Sequence, residues 1–145
     1  MKEALVPSPV LDVAARLMTP FILLFAAYVV AHGHSSPGGG FQGGVILAAA
    51  IILARLTRGP GDSFGPGRGA TVALACAGVL VYAGIGALSP LLSAAFLDYS
   101  VLPVPGEPGA VRAVGSFGIE IGVAISVTAV MVLLFDVLTG GAQEP

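Results

Sequence analysis

Charge is what this sequence has least of: Asp, Glu, Lys and Arg make up 10% of its 145 residues, against roughly 25% in soluble domains. That scarcity excludes an ordinary soluble domain. The six basic residues are scattered, and without a Lys/Arg cluster no nucleic-acid partner is expected. Cysteine is nearly missing too. Cys76 stands alone inside an apolar run, which excludes an intrachain disulfide and any cysteine-based metal spacing; it reads as a small buried hydrophobe. Histidine is limited to His32 and His34, with no third histidine and no acidic neighbour. Even a catalytic zinc site takes three protein ligands, so no metal site is expected. No nucleophile has a base beside it, and no redox-cofactor motif occurs. The glycine run lacks the lysine and preceding strand of a phosphate loop. Neither an enzyme nor a cofactor is expected.

What is present instead is hydrophobicity, at 56% of the residues with a mean hydropathy of +0.97. This is the composition of an integral membrane protein in a lipid bilayer. Four apolar segments predict an all-α fold and a single membrane domain over residues 1–145, with spans at about 11–31, 41–56, 70–92 and 117–138. A spanning helix needs about 20 residues, which the last two segments supply. The strictly apolar cores of the first two, Leu17–Ala31 and Phe41–Ala54, would cover only about 22 Å of a roughly 30 Å hydrocarbon layer. Either these helices extend into flanking polar residues, or the turn between them dips into the membrane. Arg16 and Arg55 snorkel at the other end and relieve part of the mismatch.

The connection between the first two spans reads His32-Gly-His-Ser-Ser-Pro-Gly-Gly-Gly-Phe-Gln-Gly-Gly44. Glycine loses the most backbone entropy in a helix, and Pro37 disfavours helical geometry just before it. The stretch therefore predicts a tight turn with close backbone approach. Pro37, Gly38, Gly39, Gly40, Phe41, Gly43 and Gly44 are expected to set that turn and its packing against other polypeptide. Lys2, Arg16, Arg55, Arg58 and Arg68 fall on one side of a four-span topology, and only Arg112 falls on the other. The positive-inside rule then places both termini in the cytoplasm. The connection from Ser93 to Ser116 carries Phe96, Leu97, Tyr99, Val101 and Leu102, and is expected on the membrane interface or against a partner.

Small residues recur in the third span (Ala73, Ala77, Gly78, Gly84, Gly86) and in the fourth (Gly118, Gly122, Ser126). They predict close helix–helix packing, which in lipid depends on backbone approach. Charges inside spans are costly and are functional candidates. Glu120, expected about a turn inside the fourth helix, has two readings. In one, the helix macrodipole holds a carboxylate at the N-terminal end; in the other, Glu120 is a cation or proton ligand at an external opening. His34, which titrates near neutral pH, accompanies it as a candidate for the ion route. Asp136 lies near the end of the last helix, where the dipole disfavours it. It is expected to form a structural salt bridge with Arg55 or Arg58.

The run Pro20-Phe-Ile-Leu-Leu-Phe-Ala-Ala-Tyr28, with His32-Gly-His34 and Ser36-Pro-Gly-Gly-Gly-Phe41-Gln-Gly-Gly44 after it, closely resembles the B subunit of Mrp-type multisubunit cation/proton antiporters, the MnhB domain. The stretch Gly118-Ile-Glu-Ile-Gly-Val-Ala-Ile-Ser-Val is similar to the last helix of that family. The resemblance implies a small subunit of a bacterial plasma-membrane assembly that exchanges cytoplasmic sodium for external protons. Its role would be mainly structural, with Glu120 lining the cation route as a further expectation. The implied partners are the other antiporter subunits, among them large ones related to the proton-pumping subunits of respiratory complex I. This family has no accepted catalytic residues, so none carries over. Related domains occur in membrane-bound hydrogenases, which leaves a subunit of an energy-converting redox complex as the alternative.

Overall fold

The computed structural model describes residues 8–33, 38–58 and 64–140. These form four helices, α1 (Pro9–His32), α2 (Gly40–Arg58), α3 (Arg68–Leu91) and α4 (Pro108–Gly140), with a short 3-10 turn at Tyr99–Val101. All four are long and apolar enough to cross a membrane, and no strand occurs among the described residues.

α1 and α2 have 24 and 19 residues, or about 36 and 28 Å at 1.5 Å per residue. Both outrun their strictly apolar cores. α1 takes in Asp12 and Arg16, which pair one turn apart at 2.9 Å, behind a Ser8 cap. α2 takes in Gly40 to Gly44. The expected turn from His32 to Gly44 is thereby corrected: His32 ends α1, and Gly40, Phe41, Gly43 and Gly44 form the opening turns of α2. Residues 33–39 make the connection, and within it 34–37, including His34 and Pro37, lie outside the described residues. A helical glycine costs about 1 kcal/mol relative to alanine, and close approach offsets that cost. A Cβ at Gly43 would strike Val30 of α1, one at Gly44 would stand 2.8 Å from the Ala124 carbonyl, and one at Gly40 would overlap the Glu120 backbone.

α4 outruns its apolar segment furthest. It has 33 residues and starts at Pro108, not near 117, so residues 108–116 are helical and the preceding connection is shorter than expected. α2 packs on α1 and on α4, and α4 packs on α3, whereas α1 meets α4 only marginally. The order in space is therefore α1, α2, α4, α3, a single row. The buried positions are dominated by small residues such as Ala26, Ala48, Ala54, Ala124 and Ala129. Between α3 and α4, a Cβ at Gly78 would lie 2.6 Å from both the Gly122 carbonyl and the Ser126 amide, while Gly84 faces open space. Cys76 is exposed, contrary to the expected burial, because α3 has a substantial partner on one side only.

The connection after α3 is tied down by a backbone deficit. Pro90 has no N–H, so the Gly86 carbonyl one turn earlier loses its helical donor. The Leu97 amide lies 3.5 Å from that carbonyl, and the Ser89 hydroxyl donates to the Asp98 carbonyl at 2.8 Å. The missing side chain at Gly86 makes room for Phe96, and that at Gly115 for Tyr99 and Leu102. The apolar connection thus packs in part on its own α3 and α4.

At the other end, Arg55 joins three segments. Its Nη1 donates to both oxygens of Asp136 at 2.5 and 2.6 Å, Nε donates to the Phe64 carbonyl at 3.1 Å, and Nη2 to the Pro66 carbonyl at 2.6 Å. One guanidinium therefore fastens α2 to α4 and to the connection leading into α3. The Arg55 side chain is 11% exposed and that of Asp136 24%.

Two consequences can be measured as thermal midpoints of the detergent-solubilised protein. Gly78→Ala should lower the midpoint through an overpacking cost of about 1–3 kcal/mol, whereas Gly84→Ala should leave it unchanged; equal behaviour of the two would refute the close contact. Arg55→Leu should cost ~3 kcal/mol, the low end for breaking a buried pair, because Asp136 keeps some exposure. The double variant Arg55→Leu/Asp136→Leu should recover only part of that loss, since the Phe64 and Pro66 carbonyls still lack their donor. Complete recovery would reduce the clasp to its ion pair.

Candidate functional site

α4 presents two ladders of residues spaced one turn apart. Gly118, Gly122 and Ser126 turn toward α3, while Glu120, Ala124 and Thr128 turn toward α2. Along the second ladder, the Thr128 hydroxyl lies 3.0 Å from the Gly44 carbonyl and 2.7 Å from that of Ala124. Glu120 stands at the upper end of this ladder, level with the connection between α1 and α2.

Its place in α4 is deeper than the apolar pattern implies. With the helix starting at Pro108, Glu120 is about three turns, or roughly 18 Å, from the N-terminus. The dipole effect falls off within the first turn. The reading of Glu120 as a carboxylate held by the N-terminal end of its own helix is therefore corrected.

The carboxylate instead meets the two glycines that flank the α1–α2 connection. A Cβ at Gly39 would lie 3.4 Å from Glu120 Cδ, and one at Gly33 would overlap Oε2 and the Gly39 Cα. Gly39 has φ +97°, a conformation side-chain-bearing residues rarely adopt. Glu120 Oε2 is enclosed and, among the described residues, has no hydrogen-bond partner. Two helix ends flank the carboxylate, the start of α2 after Gly39 and the end of α1 before Gly33, and their dipoles oppose one another there. An enclosed carboxylate oxygen without a partner is costly as a bare anion. A proton or a cation relieves that cost.

The surroundings are sparsely polar. Burial, and then the neighbouring Tyr82 and Glu120, push the Tyr99 phenol above its ordinary range. His32 stacks on Tyr28 with ring centroids 4.2 Å apart, and its Nδ1 lies 3.1 Å from the Tyr28 carbonyl. A carbonyl only accepts, so Nδ1 carries the proton in that contact. No group of three metal-ligating side chains occurs among the described residues.

The remaining sequence-derived residues divide clearly. Gly39, Gly40, Gly43 and Gly44 are contact positions, Gly38 is exposed with φ +153°, and Phe41 is 63% exposed and points away from the other helices. Asp136 is joined to Arg55, whereas Arg58 stands over the Phe64 ring, 5.1 Å from its centroid. His34 and Pro37 lie outside the described residues. The sequence pattern did not single out Gly33, whose bare backbone seats the carboxylate; a glycine directly after the last residue of a helix was the available signal. Tyr99 had no such signal.

A family profile described as a domain related to the MnhB subunit of Na+/H+ antiporter matches residues 10–133. The chain is similar to the B subunit of the Na(+)/H(+) antiporter of Bacillus subtilis, with 42% identity over 53 residues, 37% of each chain. It is similar to the protein of the same name from Alkalihalophilus pseudofirmus, with 44% identity over 43 residues, 30% of each chain. It also resembles the putative antiporter subunit mnhB2 of Staphylococcus aureus, 46% identical over 44 residues, 30% of this chain and 31% of the relative. The aligned segments thus span only about a third of these relatives. Across residues 10–133 and four membrane-length helices, the chain belongs to the MnhB-related family, multi-pass proteins of the bacterial plasma membrane.

Proposed function

We propose that this chain is a subunit of a multisubunit sodium/proton antiporter, and that Glu120 is the group through which it takes part in the ion route. The observation that carries the reading is the enclosed Oε2 beneath Gly33 and Gly39, without a hydrogen-bond partner among the described residues. Two states relieve an enclosed carboxylate, protonation and pairing with a cation. Alternation between those two states is the elementary act of exchanging one ion for the other. The glycine seat keeps the oxygen in place, and no competing arginine or lysine contacts it among the described residues. Cytoplasmic sodium is the outgoing ion and external protons the incoming one, with both termini of this chain on the cytoplasmic side. The partners are other antiporter subunits, including large ones that carry the proton path. A row of helices with exposed Phe21, Leu24, Phe41 and Leu80 is suited to lie among other membrane helices.

A tagged copy purified from native membranes in mild detergent should bring down the other antiporter subunits, identified by mass spectrometry. Recovery of iron–sulfur or nickel–iron subunits would move the chain to a redox complex. With the assembly in hand, Glu120→Gln should lower sodium-dependent proton exchange in everted vesicles about tenfold or more while the subunits still co-purify. Unchanged exchange would confine Glu120 to packing.

A further inference from the structure

One face of the row carries an open groove of about 460 Å³. Val30 of α1, Leu47 and Ile51 of α2 and Leu74 of α3 line it, and its floor is α4 from Phe117 to Val132, a length of about 22 Å. Thr71 and Thr128 also reach it, but both hydroxyls are within hydrogen-bond distance of backbone carbonyls. The groove therefore offers hydrocarbon and nothing for a polar ligand. A transmembrane helix, about 10–12 Å across with its side chains, would set only one face into it. A single extended acyl chain is narrow enough to lie within it.

At one end of the groove, the helix faces that line it continue to arginines. Pro66 and Thr71 line that end. Arg68 lies one turn before Thr71 on α3, and Arg58 lies two turns beyond Ile51 on α2, so both extend the faces that line the groove. Arg16 pairs with Asp12 and Arg55 with Asp136, but among the described residues no carboxylate pairs with Arg58 or Arg68. α3 starts at the same place with Gly67 as its N-cap and no side-chain cap, which leaves first-turn amides open to an anion.

We propose that this groove is a binding site for an anionic phospholipid, with one acyl chain along α4 and the phosphate bound by Arg58 and Arg68. The chain gains little by leaving the bilayer, because lipid tails are as apolar as leucine. Retention therefore depends on the headgroup, at about fivefold per arginine. The site is independent of Glu120 and of the direction of ion exchange.

The test uses the assembled complex in native membranes, with the photoreactive residue benzoylphenylalanine placed at Leu74 and irradiated before extraction. Mass spectrometry of the chain should show a phospholipid adduct enriched in anionic headgroups relative to the whole membrane. Arg58→Gln/Arg68→Gln in the same background should lower that adduct about tenfold or more, with zwitterionic adducts unchanged. An adduct to another polypeptide would assign the groove to a neighbouring protein and overturn the proposal. So would the lack of any lipid adduct, an adduct with no headgroup preference, or one that the double variant leaves intact. Should the double variant fail to assemble, headgroup enrichment on the wild-type arginines decides the matter alone.

Discussion

Between residues 120 and 126, α4 is gripped from two sides by backbone that only glycine lets come so close. Gly40 and Gly44 bring α2 onto Glu120 and Ala124, and Gly78 brings α3 onto Gly122 and Ser126. In lipid there is no gain from hiding one apolar surface against another, so contact of this kind is the main attraction that a helix pair has. The order of the row follows from it. α4 has two glycine-compatible ladders and lies inside; α3 has one such contact and lies at an edge. The position of Glu120 follows as well, because the ladder that receives α2 also delivers the carboxylate to the glycines at the mouth of the α1–α2 connection.

The same solvent imposes a second demand. Backbone groups exposed to hydrocarbon cost several kcal/mol each, about as much as the whole clasp at Arg55 contributes. Two departures from regular helix show how that demand is met. Pro90 deprives Gly86 of a donor, and Leu97 turns back toward it. The connection into α3 leaves the carbonyls of Phe64 and Pro66 outside any helix, and Arg55 supplies both. Connections that serve in this way are drawn onto the helices, which is why the apolar segment after α3 lies partly on its own chain.

The parts of this structure that sequence made legible are those governed by local composition. Four apolar runs give four helices, and matching charges at one predicted level point Asp136 toward Arg55 or Arg58, of which Arg55 forms the pair. Depth in a helix was harder. Pro108 to Ser116 includes Arg112 and three glycine or serine residues, so hydropathy stops near 117 although the helix does not. Apolar character marks immersion in lipid, not helix length. Glycine count misled in the opposite sense, since Gly40 to Gly44 looked too costly for a helix until contact with α1 and α4 offset the cost. Gly78 and Gly84 looked equivalent in the sequence, yet one is a contact and the other faces open space. The seat of Glu120 combines residues 33, 39 and 120, a relation between distant segments that no local periodicity encodes.

α1 and α3 share no substantial contact, yet Val30 of one and Leu74 of the other both border the groove along α4. The row is therefore bowed into a trough, with α2 and α4 at its base. The two edge helices are joined only through that inner pair. A displacement of one edge reaches the other through the glycine contacts on α4, which makes those contacts the hinge line of the whole molecule.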